Sequence, residues 1–341
     1  MTEAATVRLR RSSLMLLAGW VPGPCSRREQ GKRKRVLVVA AVGALLVAGA
    51  LAVFFFWPRS ASTPSGAIAT LQTLDYHALA LSPTDANVVF FGHHNGIMRS
   101  DDGGRTWRPL VDRSGFDAMN LAVSRTNPKQ VYLAGHEVFQ MSMDAGATWR
   151  PLDSDLPGLD IHAFAMDPDD PNRLTAFVVG RGTFQSADGG RSWDALGVRL
   201  PADVTALASA GGTPEALYAG SQSRGALKSS DGGQTFATIG GLDADVLSLA
   251  VDPMAPQTLY AGVTDGRFQG GIAKTTDGGQ TWRQLPFPGS NAVAVAVSPA
   301  NPSVVLAIAV SQRQGPQAPS QGLVFRSEDG GQTWGGTRSG T

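Results

Sequence analysis

The sequence is short of several residue types on which many enzymes depend. Its 341 residues include one cysteine, four tyrosines and five histidines. The cysteine, Cys25, stands in the N-terminal tail, so the rest of the chain has no thiol for a disulfide, a thiolate metal site or a cysteine nucleophile. After residue 66, glutamate occurs only at Glu137, Glu215 and Glu328. For paired-carboxylate chemistry the chain therefore depends almost entirely on aspartate.

The greater part of the chain also has no excess of positive charge. The formal net charge is +1, but residues 1–35 alone carry nine Lys and Arg against two acidic residues, which leaves about −6 for residues 36–341. Basic residues confined to a short tail do not form the basic face that nucleic acids bind. No nucleic-acid partner is therefore expected.

One long apolar run stands near the N-terminus. Residues 36–57 read VLVVAAVGALLVAGALAVFFFW, 22 residues without a charge, and as a helix they would span roughly 33 Å, the thickness of a bilayer core. Lys and Arg occupy positions 32–35, so the positive-inside rule places the tail in the cytoplasm. We predict a single-pass membrane protein with a cytoplasmic tail at 1–35, a transmembrane helix at 36–57, a linker at 58–66 and an extracytoplasmic domain at 67–341. The alternative is a signal peptide cleaved near Ser60, Ala61 and Ser62, although the apolar region of such peptides is usually only roughly 7 to 15 residues long.

An eight-residue pattern of the form S-x-D-x-G-x-T-W recurs six times after residue 66. The copies are SDDGGRTW (100–107), SMDAGATW (142–149), SADGGRSW (186–193), SSDGGQTF (229–236), TTDGGQTW (275–282) and SEDGGQTW (327–334). A period of this length is typical of a four-stranded propeller blade. A carboxylate in such a turn accepts hydrogen bonds from the backbone of the turn, and the glycines supply positive φ. The six aspartates are therefore predicted to be structural: Asp102, Asp144, Asp188, Asp231, Asp277 and Asp329.

Each repeat carries a second pattern upstream of its box, in which two apolar stretches flank a turn rich in Pro and Asp. The first copy reads HALALSPTDANVVFFG at 77–92. With one further strand on each side of the box, every repeat supplies four strands. We predict an all-β fold, a six-bladed β-propeller of four-stranded Asp-box blades preceded by one N-terminal transmembrane helix. No apolar fourth strand follows the last box, so residues 68–74 (IATLQTL) are predicted to supply the outer strand of the last blade.

The six boxes make residues from about 70 to 335 resemble the Asp-box (BNR) repeat propellers. That superfamily includes sialidases, two-propeller xyloglucanases, sortilin-type receptors and photosystem II assembly factors. The chain is most similar to small bacterial membrane-anchored members labelled sialidase-like or glycosyl hydrolase. The resemblance implies the propeller fold, but a fold shared by hydrolases and binding proteins does not assign an activity.

A sialidase mechanism would need parts that the sequence does not supply. The resemblance implies an arginine cluster, a tyrosine nucleophile assisted by glutamate, an acid aspartate and an F/Y-R-I-P motif, and that motif is missing. Tyr132, Tyr218 and Tyr260 share one strand position and are interpreted as packing residues, which leaves Tyr76 as the candidate nucleophile.

A glycosidase that works with two carboxylates is a further possibility. Aspartates stand just before successive first strands, where several would face the mouth of a channel, and the catalytic candidates are Asp75, Asp117 and Asp160, with Asp203 and Asp245 in the same position of later repeats. The alternative interpretation is that these are solvated aspartates at strand starts.

The histidines break the repeat and all fall in the first three blades. His77 and His162 begin first strands, where Met119 stands in the second repeat and Val204, Leu247 and Val293 stand in repeats four to six. His93 and His136 follow the glycine that ends a second strand, and His94 and Glu137 come next. All five histidines are thus expected at one rim, opposite the boxes. Imidazoles with a thioether suit copper, and imidazoles with a carboxylate suit zinc, so the metal-ligand candidates are His77, His93, His94, His136, His162, Met119 and Glu137; the alternative is a polar binding surface without a metal.

The sequence therefore favours a binding module whose rim takes a metal ion, a cell-envelope glycan or a membrane-associated protein partner. Two longer loops, at 263–271 and 311–322, are expected on the same face. A glycoside hydrolase is the first alternative. An assembly factor for a membrane protein complex is the second, and it would present a broad apolar or charged patch.

Overall fold

The computed structural model of the protein describes residues 66–264, 270–311 and 320–335. The tail, the transmembrane helix, nearly all of the linker and the centres of the two long loops lie outside the described residues. No helix within these three ranges is long and apolar enough to cross a membrane. The membrane anchor, the export of the domain and the domain boundaries therefore stay predictions.

The described residues form 24 strands in six antiparallel sheets of four. Blade 1 contains β2 (Ala78–Leu81), β3 (Val89–His93), β4 (Gly96–Ser100) and β5 (Arg108–Asp112); blade 2 contains β6 (Asn120–Val123), β7 (Val131–Gly135), β8 (Val138–Ser142) and β9 (Arg150–Pro151). Blade 3 contains β10 (Ile161–Met166), β11 (Leu174–Val178), β12 (Gly182–Ser186) and β13 (Asp194–Ala195); blade 4 contains β14 (Val204–Ser209), β15 (Leu217–Ser221), β16 (Gly225–Ser229) and β17 (Ala237–Thr238). Blade 5 contains β18 (Asp245–Asp252), β19 (Ala255–Thr264), β20 (Gly271–Thr275) and β21 (Arg283–Gln284); blade 6 contains β22 (Ala292–Val297), β23 (Val305–Val310), β24 (Gly322–Ser327) and β1 (Ala69–Leu71).

Burial explains why the second strands of the blades are mainly apolar. Strands β3, β7, β11 and β15 are buried at every position because both faces of the sheet pack against neighbouring blades. The first strands of neighbouring blades contact one another in a ring. Residues from all six first strands line a central channel of about 110 Å³. The predicted six-bladed propeller of four-stranded blades is confirmed.

The ring closes through the strand that precedes the first blade. Strand β1 pairs antiparallel with β24, with Ala69 opposite Val324 and Leu71 opposite Gly322. The N-terminal segment thus completes the last blade, as predicted from the absence of an apolar strand after the last box. Closure gives the last blade the same four strands as the others and joins the N-terminal segment to the C-terminal blade.

The box turns have the same internal hydrogen bonds in all six blades. In the first, Asp102 Oδ1 accepts from the Thr106 amide (2.8 Å) and the Ser100 hydroxyl (2.8 Å), and Asp102 Oδ2 accepts from the Thr106 hydroxyl (2.7 Å). The corresponding contacts recur at the other five aspartates. Partial burial opposes ionisation of Asp102, but these hydrogen bonds outweigh it and lower the pKa of Asp102 to about 2. Each carboxylate therefore holds its own turn together.

The two ends of the propeller are chemically different. At one end, the box turns contact the turns between first and second strands, as where the Gly103 amide donates to Asn87 O at 2.9 Å. On this side Arg125 of blade 2 reaches the carbonyl of Pro253 in blade 5 at 3.4 Å, a contact between opposite blades that crosses the channel axis. The other end, where first strands begin and second strands end, is called the rim.

Candidate functional site

Four of the five histidines come together at the rim of blades 1 to 3. They surround two aspartates, Asp117 and Asp160, that precede the first strands of blades 2 and 3. The four are His77, His94, His136 and His162. The rim cluster, as these six residues are called below, spans three blades.

Asp117 lies at the centre of the rim cluster and is only 4% exposed. Its Oδ2 is 2.8 Å from His136 Nδ1 and 3.3 Å from His94 Nδ1, and its Oδ1 is 3.1 Å from His77 Nε2. Gly135 permits this arrangement because a Cβ at that position would overlap the carbonyl of Asp117. Burial raises the pKa of Asp117, but the close contacts and charges of His77 and His136 lower the pKa more, so the carboxyl titrates below its ordinary range.

His136, Asp160 and His162 form a compact group of three donor atoms. His136 Nε2 is 3.0 Å from His162 Nε2, and Asp160 Oδ1 is 3.3 Å from both nitrogens. A backbone bridge between His136 and Asp160 joins blades 2 and 3 at this point and sets the spacing. Oδ1 of Asp160 is buried and makes no hydrogen bond to a described residue. Burial lowers the pKa of His162, although the negative charge of Asp160 acts in the opposite direction. The lowered pKa favours the neutral imidazole, which is the form that binds metal ions.

The local backbone aims the His162 ring. The register between β10 and β11 shifts between Ile161 and Ala163, which makes His162 the extra residue of a β-bulge. Strands β14, β18 and β22 have the same shift, at Thr205, Leu247 and Val293. The blade 4 equivalent of His162 is therefore Thr205, and the expectation of Val204 was wrong by one residue.

A second group of possible ligand atoms lies on the blade 1 side of Asp117. Asp75, His77 and His94 each place one such atom within 4.8 Å of the others. Nε2 of His77 and Oδ1 of Asp117 are buried and 3.1 Å apart, yet neither makes a well-formed hydrogen bond within the described part of the chain.

Three metal-ligand candidates lie outside both groups. The His93 ring stacks on Phe91 with centroids 5.6 Å apart and lines a separate cavity, because consecutive residues at a strand end project to opposite sides. His93 thus lies at the rim, at the end of β3, but outside both groups of ligand atoms. Met119 lies in the channel wall, and Glu137 is exposed with φ +56° and is outside both groups of ligand atoms.

The catalytic candidates have different surroundings. Tyr76 is buried, and its hydroxyl lies 3.1 Å from the carbonyls of Leu71 and Ser320, where it ties the closing strand to blade 6. Asp203 accepts from the Ser221 hydroxyl and the Ser223 amide, both at 2.7 Å, which fixes a turn. Asp75, Asp117 and Asp160 stand beside histidines. The described residues that line the channel include no carboxylate, and its polar residues are His77, Asn120, Thr205 and Ser248.

Sequence reasoning found the histidines but did not connect them to the aspartates. The sequence indicates Asp117 and Asp160 as catalytic candidates and does not indicate their contacts with His136. The signal that was available is positional, because a histidine after the second strand of one blade falls next to the aspartate before the first strand of the following blade.

Comparisons with known proteins support the fold and nothing finer. No family model matches the chain, and no curated protein matches it. A GH74 enzyme from Niastella koreensis is similar over 79% of this chain with 22% identity and a TM-score of 0.56, but the match covers 46% of that enzyme's length. The calcium-binding protein regucalcin from Agrobacterium tumefaciens is similar over 78% of this chain and 95% of its own, with 14% identity and a TM-score of 0.54. YCF48 from Cyanidioschyzon merolae matches over 79% of this chain and 86% of its own, with 18% identity and a TM-score of 0.48.

Proposed function

We propose that this protein is a membrane-tethered, extracytoplasmic binding propeller that holds a divalent transition-metal ion on its rim. The ligands are His136 Nε2, His162 Nε2 and Asp160 Oδ1. The observation that carries the proposal is the mutual spacing of these three atoms, 3.0 to 3.3 Å. Donor atoms at that spacing can all lie roughly 2.0 to 2.2 Å from one ion, as zinc requires of nitrogen and oxygen ligands.

Asp117 prepares His136 for this role. A carboxylate that accepts a hydrogen bond from one ring nitrogen leaves the other nitrogen with its lone pair free, and it also orients the ring. His136 Nδ1 lies 2.8 Å from Asp117 Oδ2, and Nε2 of the same ring points to His162 and Asp160. The site therefore has a ligand and the partner that orients it, which a surface histidine pair without a metal does not require.

The donor set favours zinc and similar ions, and the site is open on one side. Two imidazoles and one carboxylate offer nitrogen and oxygen but no sulfur, so the copper preference expected of a thioether ligand does not apply. The side chains of His136, Asp160 and His162 are 46%, 48% and 32% exposed. An ion held by three residues at an open surface keeps coordination positions for water or for a donor group of a glycan or protein.

The two alternative functions have less support among the described residues. A glycosidase needs a pair of carboxyl groups across a cleft, whereas no carboxylate lines the described part of the channel wall and Asp117 and Asp160 face histidines. An assembly factor would present a broad apolar or charged patch. The large apolar side chains exposed in the described ranges come from different repeats, and they are Leu74, Met143, Leu159 and Met254.

Titration of the detergent-solubilised full chain with ZnCl₂ in a calorimeter tests the proposal. His162→Ala should weaken the zinc site by more than the roughly 10- to 100-fold that loss of an orienting partner costs. His93→Gln is the matched control, because His93 lies at the same rim but outside both ligand groups. Equal zinc affinity in the wild type and His162→Ala would refute the site.

A further inference from the structure

We infer that the rim holds a second site for a divalent cation, formed by Asp75, His77 and His94 together with Asp117. The inference rests on the proposed function in one respect, since Asp117 also orients His136 of the first site. Its ligands are otherwise separate from those of the first site. The rim would then bind two ions that are linked through Asp117, a ligand of the second ion and the hydrogen-bond partner of His136 at the first.

The first support is the convergence of ligand atoms from three segments of the chain. Asp75 and His77 precede β2, His94 follows β3, and Asp117 precedes β6 of the next blade. Donor atoms of Asp75, His77 and His94 lie within 4.8 Å of one another. Asp117 adds Oδ1 at 3.1 Å from His77 Nε2 and Oδ2 at 3.3 Å from His94 Nδ1. Two imidazoles and two carboxylates make a donor set that suits zinc and other divalent ions.

The second support is a buried contact between two of these atoms that leaves each without a well-formed hydrogen bond among the described residues. Asp117 is only 4% exposed, and its Oδ1 lies 3.1 Å from His77 Nε2 as an ion pair. Neither atom makes a well-formed hydrogen bond to a described residue. A buried polar atom without a well-formed hydrogen bond costs free energy, and an anionic oxygen costs more than a neutral one. A cation between Oδ1 and Nε2 would satisfy both atoms at once.

Asp117 makes the two sites interdependent. Its Oδ1 faces the second site, while its Oδ2 accepts from His136, whose Nε2 belongs to the first site. An ion on Oδ1 draws electron density from the carboxylate and weakens the hydrogen bond that makes His136 a good ligand. The two positive ions also repel each other. Each ion should therefore lower the affinity for the other, and this effect is reciprocal.

The competing explanation is that His77 and His94 form ion pairs with Asp117 and bind no metal. Stoichiometry separates the two. The full chain in detergent is equilibrated with excess ZnCl₂, separated from unbound zinc by rapid desalting, and its zinc and protein contents are measured, with the same titration followed by calorimetry. The variants are His94→Ala, with His94→Gln as a milder change at the same exposed side chain, and His162→Ala; circular dichroism checks that each is folded.

We expect two zinc ions per wild-type chain. His94→Ala and His94→Gln should each bind one zinc ion, at the site that depends on His162. His162→Ala should also bind one zinc ion, at the second site. Asp117→Asn should weaken both sites. A wild type that saturates at one ion, with no effect of either His94 substitution, would overturn the second site and leave the first. If the His94 variants lose one ion and His162→Ala loses none, the proposed function is overturned and the second site remains. A wild type that binds no zinc would overturn both sites.

Discussion

At the scale of single residues, the carboxyl groups of this protein differ according to what surrounds them. Glu215 is 3% exposed between blades 3 and 4, where it accepts hydrogen bonds from the Ser209 hydroxyl and, at 3.2 Å, from Gln185 Nε2. Burial raises the pKa of Glu215 to about 7. Repulsion from Asp167 adds to this rise, and the hydrogen bond from Ser209 opposes it. At neutral pH this carboxyl is therefore close to its midpoint.

The raised pKa of Glu215 predicts a stability that falls as the pH rises from about 4.5 to 7. In that window the folded protein retains a proton that the unfolded chain has lost, so the free energy of unfolding declines by at most about 3 kcal/mol and then levels off. Denaturant unfolding at several pH values measures the decline. Glu215→Gln should flatten it, while Glu328→Gln, at an exposed glutamate, should not.

The box aspartates predict the opposite dependence at low pH. The pKa of Asp102 is lowered to about 2 because hydrogen bonds to its charged form outweigh the effect of burial. A lowered folded-state pKa gives a stabilising contribution that is complete above the unfolded value and is lost as the pH falls towards 2. Asp102→Asn should therefore lower the melting temperature at pH 7 and reduce the further loss between pH 4 and 2. Asp153→Asn, at an exposed aspartate, is the control, and equal acid sensitivity of the two variants would contradict the account.

At the scale of elements, the box turns join the blades through their second glycine. A Cβ at Gly233 would lie 2.8 Å from Leu196 of the preceding blade and 3.1 Å from Leu217, whereas a Cβ at Gly232 in the same turn would meet nothing within 4 Å. Both glycines have positive φ, +88° and +73°. Substitutions at these two glycines therefore separate the free-energy cost of the backbone conformation from the cost of packing against the preceding blade.

Gly233→Ala should destabilise the protein more than Gly232→Ala. Each substitution places an alanine in the left-handed region, at roughly 1 to 2 kcal/mol, and Gly233→Ala adds an overpacking cost of roughly 1 to 3 kcal/mol. Chemical denaturation of the two variants measures the difference. A Gly232→Ala variant as unstable as Gly233→Ala would show that blade packing does not constrain this turn.

The geometry of the strands also determines how much of the fold and of the site could be predicted from the sequence. The period of the boxes and the missing strand after the last one predicted six blades and their closure, because strand pairing repeats with the sequence. The bulge at His162, and the opposite directions of His93 and His94, follow from strand register and twist, which no spacing of residues reveals. For the same reason the contacts of Asp117 with His77, His94 and His136 were not predicted.

At the scale of the whole molecule, the two ends of the described chain hold the ring together. Gly322 in β24 lies so close to Tyr76 that a Cβ would overlap the tyrosine ring, and the Tyr76 hydroxyl lies 3.1 Å from the carbonyls of Leu71 and Ser320. Strand β1, β24 and the segment before β2 therefore form one interlocked contact. A substitution that strains this contact should therefore favour opening of the ring.

Gly322→Ala should loosen closure and lower the free energy of unfolding by roughly 1 to 3 kcal/mol. Amide hydrogen exchange at Ala69, Thr70 and Leu71 should accelerate more than exchange in the central strand β15, because local opening of the closing strand becomes easier. Gly240→Ala, where an added Cβ meets nothing within 4 Å, is the control. Unchanged exchange in β1 would contradict the closure contact.

The proposed function depends on the rim site, which is defined by three ligand atoms. The most direct test is an anomalous-scattering measurement at the zinc absorption edge on crystals of the full chain equilibrated with ZnCl₂. The account predicts a peak roughly 2.0 to 2.2 Å from each of His136 Nε2, His162 Nε2 and Asp160 Oδ1. A rim without a peak at these atoms, under conditions where zinc appears elsewhere in the crystal, would contradict it.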